Sequence, residues 1–250
     1  MNCLLPLFRS SPLSARVRTA EWMDDPAADP AELERSLVFI RRVNAWLGYT
    51  RATLGHLARF ARGWERGRPI RVLDVATGSA DVPLAVLAWA RQVGHDVRVV
   101  GLDLHDKTVA AARRAAAAAG VPAAKLSVVR ADATALPFAA GAFDYAMTSM
   151  FLHHLDDDVA VRVLAEMNRV AARGILAADL LRSRRAYAWI SLFTAAANPM
   201  VRHDARASVA QAFTRAEIEA VRDRAGVPYA RYHAHFGHRF VLAGEKVSHG

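Results

Sequence analysis

Two hydrophobic rhythms divide the chain near residue 70. Before it, apolar residues recur at helical spacing: Leu33, Leu37, Ile40, Val43 and Leu47, then, past Gly48, Leu54, Leu57 and Phe60. Asp29-Pro30-Ala31-Glu32 opens this stretch as a helix start, with Asp as N-cap, Pro at the first helical position and Glu at the third. From residue 70 onward, short apolar runs alternate with helical ones. The runs 70–75, 97–104, 126–130, 143–150 and 174–181 predict strands, and 81–93, 107–119 and 157–170 predict the helices between them. Such alternation predicts a parallel sheet with helices on both faces. Beyond Leu181 the rhythm weakens. Residues 184–197 read as a helix broken by Asn198-Pro199, and Thr214-Arg215-Ala216-Glu217 forms a capping box with Phe213 and Ile218 as its staple. Residues 229–236 and 239–244 predict an antiparallel hairpin turning at Gly237. The expected organisation is a flexible tail (1–18), an N-terminal helical lid (19–66) and an α/β domain (67–250).

Composition narrows the class. A chain of 250 residues, 53% hydrophobic, is long enough to bury a core without disulfide or metal support. The one cysteine, Cys3, excludes a disulfide framework within the chain and a cysteine-based zinc site. No apolar run reaches the ~20 residues of a membrane span, and the patch 3–8 lacks the flanks of a signal peptide, so the cytoplasm is the expected location. The net charge of +9 points toward nucleic acid, but only Lys107, Lys125 and Lys246 are lysines, and the arginines are scattered without a run of five or six. Nothing in the chain specifies an oligomeric state.

The acids carry more information than the arginines. Asp74, Asp103 and Asp132 are spaced by 29 residues, one strand–helix–strand period, so an acid recurs at or just past the end of three successive strands. Ligands of open parallel sheets bind at that edge. Carboxylates there suit hydroxyls, amines or positive charge, or they cap the following helices.

The loop after the first strand, residues 74–81, fits the dinucleotide fingerprint G-x-G-x-x-G badly: aligning Ala76 and Gly78 with the first two glycines puts Asp81 third, and aligning Gly78 and Ala80 puts Pro83 there. A carboxylate at that helix start would repel a pyrophosphate and welcome an ammonium. Val72-Leu73-Asp74-Val75-Ala76-Thr77-Gly78-Ser79-Ala80-Asp81 instead resembles motif I of the class I S-adenosylmethionine-dependent methyltransferases, in their ubiquinone/menaquinone C-methyltransferase-like branch. Val99-Val100-Gly101-Leu102-Asp103 resembles the second motif of that family. Arg130-Ala131-Asp132-Ala133 with Leu136-Pro137-Phe138 resembles the third, and Ser149-Met150-Phe151-Leu152-His153-His154-Leu155 resembles the segment after strand four. The resemblance runs over residues 68–245 with the motifs in order. It departs from the family at residues 76 and 80, where alanines stand among the usual glycines and still permit a tight turn if φ is negative.

The resemblance implies a Rossmann-like, doubly wound, mostly parallel seven-stranded sheet with a C-terminal antiparallel hairpin and an N-terminal helical extension. It implies S-adenosyl-L-methionine as cofactor. Gly78, with Ala76 and Thr77, would admit its methionine part; Asp74 and Asp81 would lie near the amine; Asp103 would accept the ribose hydroxyls; Leu104 and Ala133 would flank the adenine and Asp132 accept from its amino group; Ser149 would stand near the reacting methyl.

Methyl transfer from a sulfonium is an in-line displacement that depends on positioning, and a hydroxyl acceptor also needs its proton removed. His153 and His154, just past strand four, are candidate bases, as is His203 beside Asp204 in the expected loop after strand five. Arg182 could anchor an anionic acceptor. His233 and His235 share a strand face as a metal pair would, but no acid or cysteine stands beside them in sequence, and no metal is expected. Aromatic residues at 187–193 and the N-terminal helices would form a lid over a hydrophobic acceptor. The expected activity is methylation of a small molecule, at the hydroxyl of an aromatic or polyketide-like compound, such as secondary metabolism uses. Methylation of a quinol-type ring carbon, an RNA or DNA methyltransferase and a non-catalytic cofactor-binding protein are the alternatives. The Asn/Asp-Pro-Pro-aromatic segment of base-amino methyltransferases is replaced here by Ser149-Met150-Phe151-Leu152.

Overall fold

The computed structural model describes residues 48–247 together with 13, 15, 16, 18–22, 29, 35 and 36. The helix start at 29–32 and most of the apolar row 33–47 therefore lie outside the described residues. Among the described residues seven strands form one sheet in the order β3-β2-β1-β4-β5-β7-β6. These are β1 Ile70–Val75, β2 Val97–Asp103, β3 Leu126–Arg130, β4 Phe143–Ser149, β5 Ala171–Leu180, β6 Arg231–His235 and β7 Arg239–Glu245. The first five are parallel, and β7 runs antiparallel to both β5 and β6. This is the expected doubly wound, Rossmann-like arrangement with its closing hairpin. Strand order reverses between β1 and β4, which opens a crevice at their carboxyl ends.

The helices are α1 Tyr49–Phe60, α2 Asp81–Val93, α3 Asp106–Ala118, α4 Asp157–Val170, α5 Arg184–Phe193, α6 Pro199–Gln211 and α7 Arg215–Arg224. Two apolar cores form because the central strands are buried on both faces. One holds Leu73, Val75, Ala146, Ile175 and Leu242 with α4 and α7. The other holds Val72, Tyr145, Met147, Ala178 and Val241 with α1, α2 and α3. Helix α1 is seated on the second core by Leu57 and by Phe60, whose ring stacks on Tyr145 at 5.3 Å. Trp64 Nε1 donates to Tyr145 Oη at 2.9 Å just beyond it.

The capping box at Thr214 and Glu217 is present, and its staple residues Phe213 and Ile218 are fully buried. Helix α6 corrects the sequence reading. Asn198-Pro199 does not merely end a helix but starts one: Asn198 Oδ1 accepts from Val201 N at 2.8 Å with Pro199 at the first position. His203 and Asp204 therefore stand on a helix and not on the expected loop.

Candidate functional site

The turn after β1 is built under constraint. Asp74 is 2% exposed and accepts from Thr77 Oγ1 at 2.7 Å, so the carboxylate ties down the loop that follows it. Burial, reinforced by the nearby charge of Asp103, pushes the Asp74 pKa up to about 7 despite that hydrogen bond. Thr77 in turn packs over Gly101 of β2, where a Cβ would lie 2.8 Å from Thr77 Oγ1. Only glycine fits there.

Gly78 has φ 55°, and nothing stands within 4 Å of where its Cβ would be, so its backbone faces open space. The two alanines depart from expectation. Ala76 has φ 57° and Ala80 φ 63°, both left-handed, where the sequence reading allows a tight turn through negative φ. The turn geometry that glycines normally supply is kept, and the Cβ strain is borne by the loop. Met150, just past β4, is left-handed too, at φ 54°.

Asp103 closes β2, 8% exposed, and accepts from Gly78 N and from His105 N, each at 3.2 Å. These two long bonds leave carboxylate lone pairs for further donors. Leu104 beside it is 51% exposed, an apolar surface without cover. Asp132 is exposed, and its Oδ1 accepts from both the N–H and the hydroxyl of Thr134 at 2.8 Å, which holds its pKa below the usual carboxylate range. Ala133 is buried behind it. Asp81 is exposed at the start of α2 and accepts from Ser79 Oγ. Ser149, last residue of β4, has a buried hydroxyl with no hydrogen-bond partner among the described residues. A buried hydroxyl without a partner is costly. Together with Gly78 and the Asp103 carboxylate, it marks one edge prepared for a polar ligand. The donor set fits a nucleoside carrying a cationic tail: a carboxylate for hydroxyls, an apolar face for a base and bare backbone for close approach.

The candidate bases are arranged differently from one another. His153 is 2% exposed, and its Nδ1 lies 2.6 Å from Asp179 Oδ1 while its backbone N–H donates to Asp179 Oδ2. Burial alone would lower the His153 pKa, but the Asp179 carboxylate, aided by the charge of Glu21, outweighs it and the net shift is upward. The pair is an imidazole oriented by a carboxylate near the end of β5. His154, its ring 4.1 Å from that of His153, is driven down to about 3 by burial and by the neighbouring His153. His154 is thus held far below the neutral range in which a general base works. One ligand atom each from Glu21, His153 and His154 lies within 4.8 Å of the others.

His203 has Nδ1 2.8 Å from Asp204 Oδ1, and Trp22 stacks on its ring at 4.3 Å. The segment around Trp22 crosses this edge of the sheet. Trp22 N donates to Asp204, Glu21 accepts from Ser208 and Gln211, and Arg16 donates to the carbonyls of Leu155 and Gln211. Arg16 falls in the stretch 1–18 expected as a tail. Arg182, considered as an anchor for an anion, is only 4% exposed and is committed to Glu217 and to the Ala212 carbonyl.

One group was not legible from spacing. His56 of α1 meets His233 and His235 of β6: Nε2 of His56 is 3.0 Å from Nε2 of His235, and its ring centroid is 4.6 Å from that of His233. No local signal joins residues so far apart; the shared face of 233 and 235 was the only hint.

Comparison with known proteins agrees with this geometry. A family described as a methyltransferase domain matches residues 72–174. A demethylmenaquinone methyltransferase of Thermus thermophilus is 39% identical over 106 residues, covering 42% of this chain and 44% of its own length. One of Shouchella clausii is 36% identical over 102 residues, covering 41% and 40%. The matches thus span less than half the length of these curated relatives. Among solved structures, an O-methyltransferase family 2 protein of Planctomyces limnophilus, complexed with apigenin, superposes over 89% of this chain and 63% of its own with TM-score 0.59 and 20% identity. A SAM-dependent methyltransferase of Aquifex aeolicus covers 71% of this chain and 82% of its own at TM-score 0.54 and 18% identity. These two likenesses are of fold. Motif residues, loop geometry and domain match agree: residues 72–174 are similar to a methyltransferase domain.

Proposed function

We propose that this chain transfers a methyl group from S-adenosylmethionine to a small-molecule acceptor, at the hydroxyl of an aromatic or polyketide-like compound. The observation that carries the reading is the hydrogen bond from Gly78 N to the Asp103 carboxylate at the carboxyl edge of the sheet, the edge at which β4 ends in the unpartnered Ser149 hydroxyl. The bound cofactor supplies an electrophilic methyl on a sulfonium. Asp103 binds the ribose hydroxyls, Leu104 and Ala133 pack on the base, Asp132 accepts from it, and Asp74 holds the loop through Thr77. Asp81 contributes negative charge at the mouth. The apolar group of Leu180, Ala186 and Val209, with Met150, Tyr187 and Ile190 against it, walls the acceptor side beyond the ends of β4 and β5. The N-terminal segment carrying Trp22, fastened to α6 and to the turn at His153, acts as the lid of the 19–66 region and excludes water.

Asp179 fixes the His153 ring, so His153 serves as a positioning residue beneath the acceptor. The oriented imidazole of His203 is the candidate for proton removal. No helix among the described residues is long and apolar enough to cross a membrane, and a cytoplasmic place in secondary metabolism fits the reading.

A second reading, methylation of a quinol ring carbon, is favoured by the two curated relatives. One experiment tests both. The protein is incubated with methyl-labelled cofactor and panels of phenols and of reduced quinones, and the site of label is read by mass spectrometry. Label on oxygen supports the first reading and label on ring carbon the second. Absence of S-adenosylhomocysteine binding by calorimetry would overturn both.

A further inference from the structure

Between α1 and the β6–β7 hairpin lies a cleft of ≈ 330 Å³, lined by Arg51, His56, Arg59, His235, Phe236 and Arg239 among others. No carboxylate stands among its described lining residues. The cleft opens at the ligand edge of the sheet. Arg239 is the register partner of Leu180, the last residue of β5, and of His235. One row deeper, Ser149, Ala178, Val241 and His233 are aligned strand to strand, so their side chains share one face. That face is the one α1 covers, since Ala178 and Val241 share a core with Leu57. The cleft is therefore on the same side of the sheet as the Ser149 hydroxyl. It is two to three strand spacings away, ~10–14 Å at ~4.8 Å each.

We infer that this cleft is the acceptor's acid-binding subsite: it takes the carboxylate of an extended aromatic acid whose far end lies at the methyl-transfer site. The inference rests on the methyltransferase reading and names its substrate class. Guanidinium groups bind carboxylates through paired, charge-assisted hydrogen bonds. Arg51 and Arg59 are exposed on one face of α1, and neither has a carboxylate partner among the described residues. Phe236 is 75% exposed at the rim and offers a flat surface to a ring. His56 shares the cleft with His235 from β6, with Arg239 from β7 and with Arg51 and Arg59 of its own helix, and its ring also meets that of His233. Burial, then His233, His235 and Arg59, press its pKa down to about 4. Arg51 and Arg59, without a carboxylate partner among the described residues and set beside the three histidines, are the charges a bound carboxylate would relieve. The separation from Ser149 is too long for a single ring; a two-ring acid, met by the long arginine side chains, spans it.

The test uses the full-length protein loaded with S-adenosylhomocysteine and two probes, 6-hydroxy-2-naphthoate and 2-naphthol, titrated by calorimetry. The His ring signals are followed by NMR. The naphthoate should bind at least about tenfold more tightly than the naphthol and move the His56 ring titration upward. Arg51→Gln with Arg59→Gln should remove that advantage while leaving the melting temperature and S-adenosylhomocysteine affinity unchanged, because both side chains are exposed. Equal binding of the two probes, or a naphthoate affinity untouched by the double variant, would overturn the inference. Inorganic phosphate that displaces the naphthoate at lower concentration than benzoate does would overturn the carboxylate assignment. Failure of the apoprotein to bind S-adenosylhomocysteine, with naphthoate still bound, would instead fell the methyltransferase reading alone.

Discussion

The left-handed alanines of the first loop make a quantitative test of how this site is held. An L-residue at φ near +60° carries roughly 1–2 kcal/mol of strain that glycine does not. Glycine also loosens the unfolded chain, which offsets roughly 0.4–1 kcal/mol of the relief. At Ala76, φ 57° and only half-buried, the net gain from Ala76→Gly is about 0.5–1 kcal/mol. In a chain of this length that is a rise of roughly 2–4 °C in Tm per kcal/mol. Ala80, φ 63°, is different because its methyl is fully buried in the α1–α3 core. Losing that methyl costs about 0.8 kcal/mol, so Ala80→Gly comes out near zero. Gly78→Ala is the converse control: φ is 55° and the new Cβ meets nothing, so the strain of roughly 1–2 kcal/mol, less the same unfolded-chain offset of roughly 0.4–1 kcal/mol, leaves a net loss of about 0.5–1 kcal/mol. The assay is urea unfolding of the three variants, comparing midpoints at unchanged m-value. Ala76→Gly that is neutral or destabilising, or Ala80→Gly that gains as much as Ala76→Gly, would refute the strain account.

Gly101→Ala should lower S-adenosylhomocysteine affinity and cost about 1–3 kcal/mol in stability, since the added methyl displaces Thr77 and through it the loop; unchanged binding by calorimetry would show that the loop is not held from β2. Asp103→Ala should weaken the same ligand at least about tenfold, by loss of charge-assisted bonds worth roughly 1.5–3 kcal/mol; equal affinity would remove Asp103 from the ribose site. The pH dependence has opposing limbs. His56 and His154 are held neutral, at about 4 and about 3, so below pH 6.5 the unfolded chain gains protons that the folded one refuses, and stability falls as pH drops toward 4. Asp74, raised to about 7, keeps its proton in the folded state, so its contribution is lost as pH rises from 3.8 through 7; Asp74→Asn should abolish that second limb in denaturation curves taken at each pH, while His154→Gln should shrink the first.

The sheet was legible because its signals are local. β1, β3, α2 and α4 begin and end where periodicity and caps place them, and the acids at 74, 103 and 132 fall at the strand ends because one strand–helix–strand unit sets the spacing. Helix α6 was missed for the opposite reason. Its buried face includes Asp204 and Gln211, which break an apolar period. They are buried there because their partners, Trp22 N and Glu21, lie some 180 residues away in sequence, at separations of 182 and 190. The left-handed alanines could not be read from composition, since the loop's tertiary tethers, Thr77 to Asp74 and Gly78 to Asp103, override the local preference. The basic charge divides in the same way. Arg16, Arg113, Arg169 and Arg182 fasten loops and helix ends by donating to backbone carbonyls, which explains why they are scattered singly along the chain. Arg51, Arg59 and Arg239 differ: distant in sequence, they converge with His56 and His235 only because α1 lies across the β6–β7 hairpin. Part of the positive charge is thus structural fastening, and the part proposed to bear on a ligand comes together only in the folded chain.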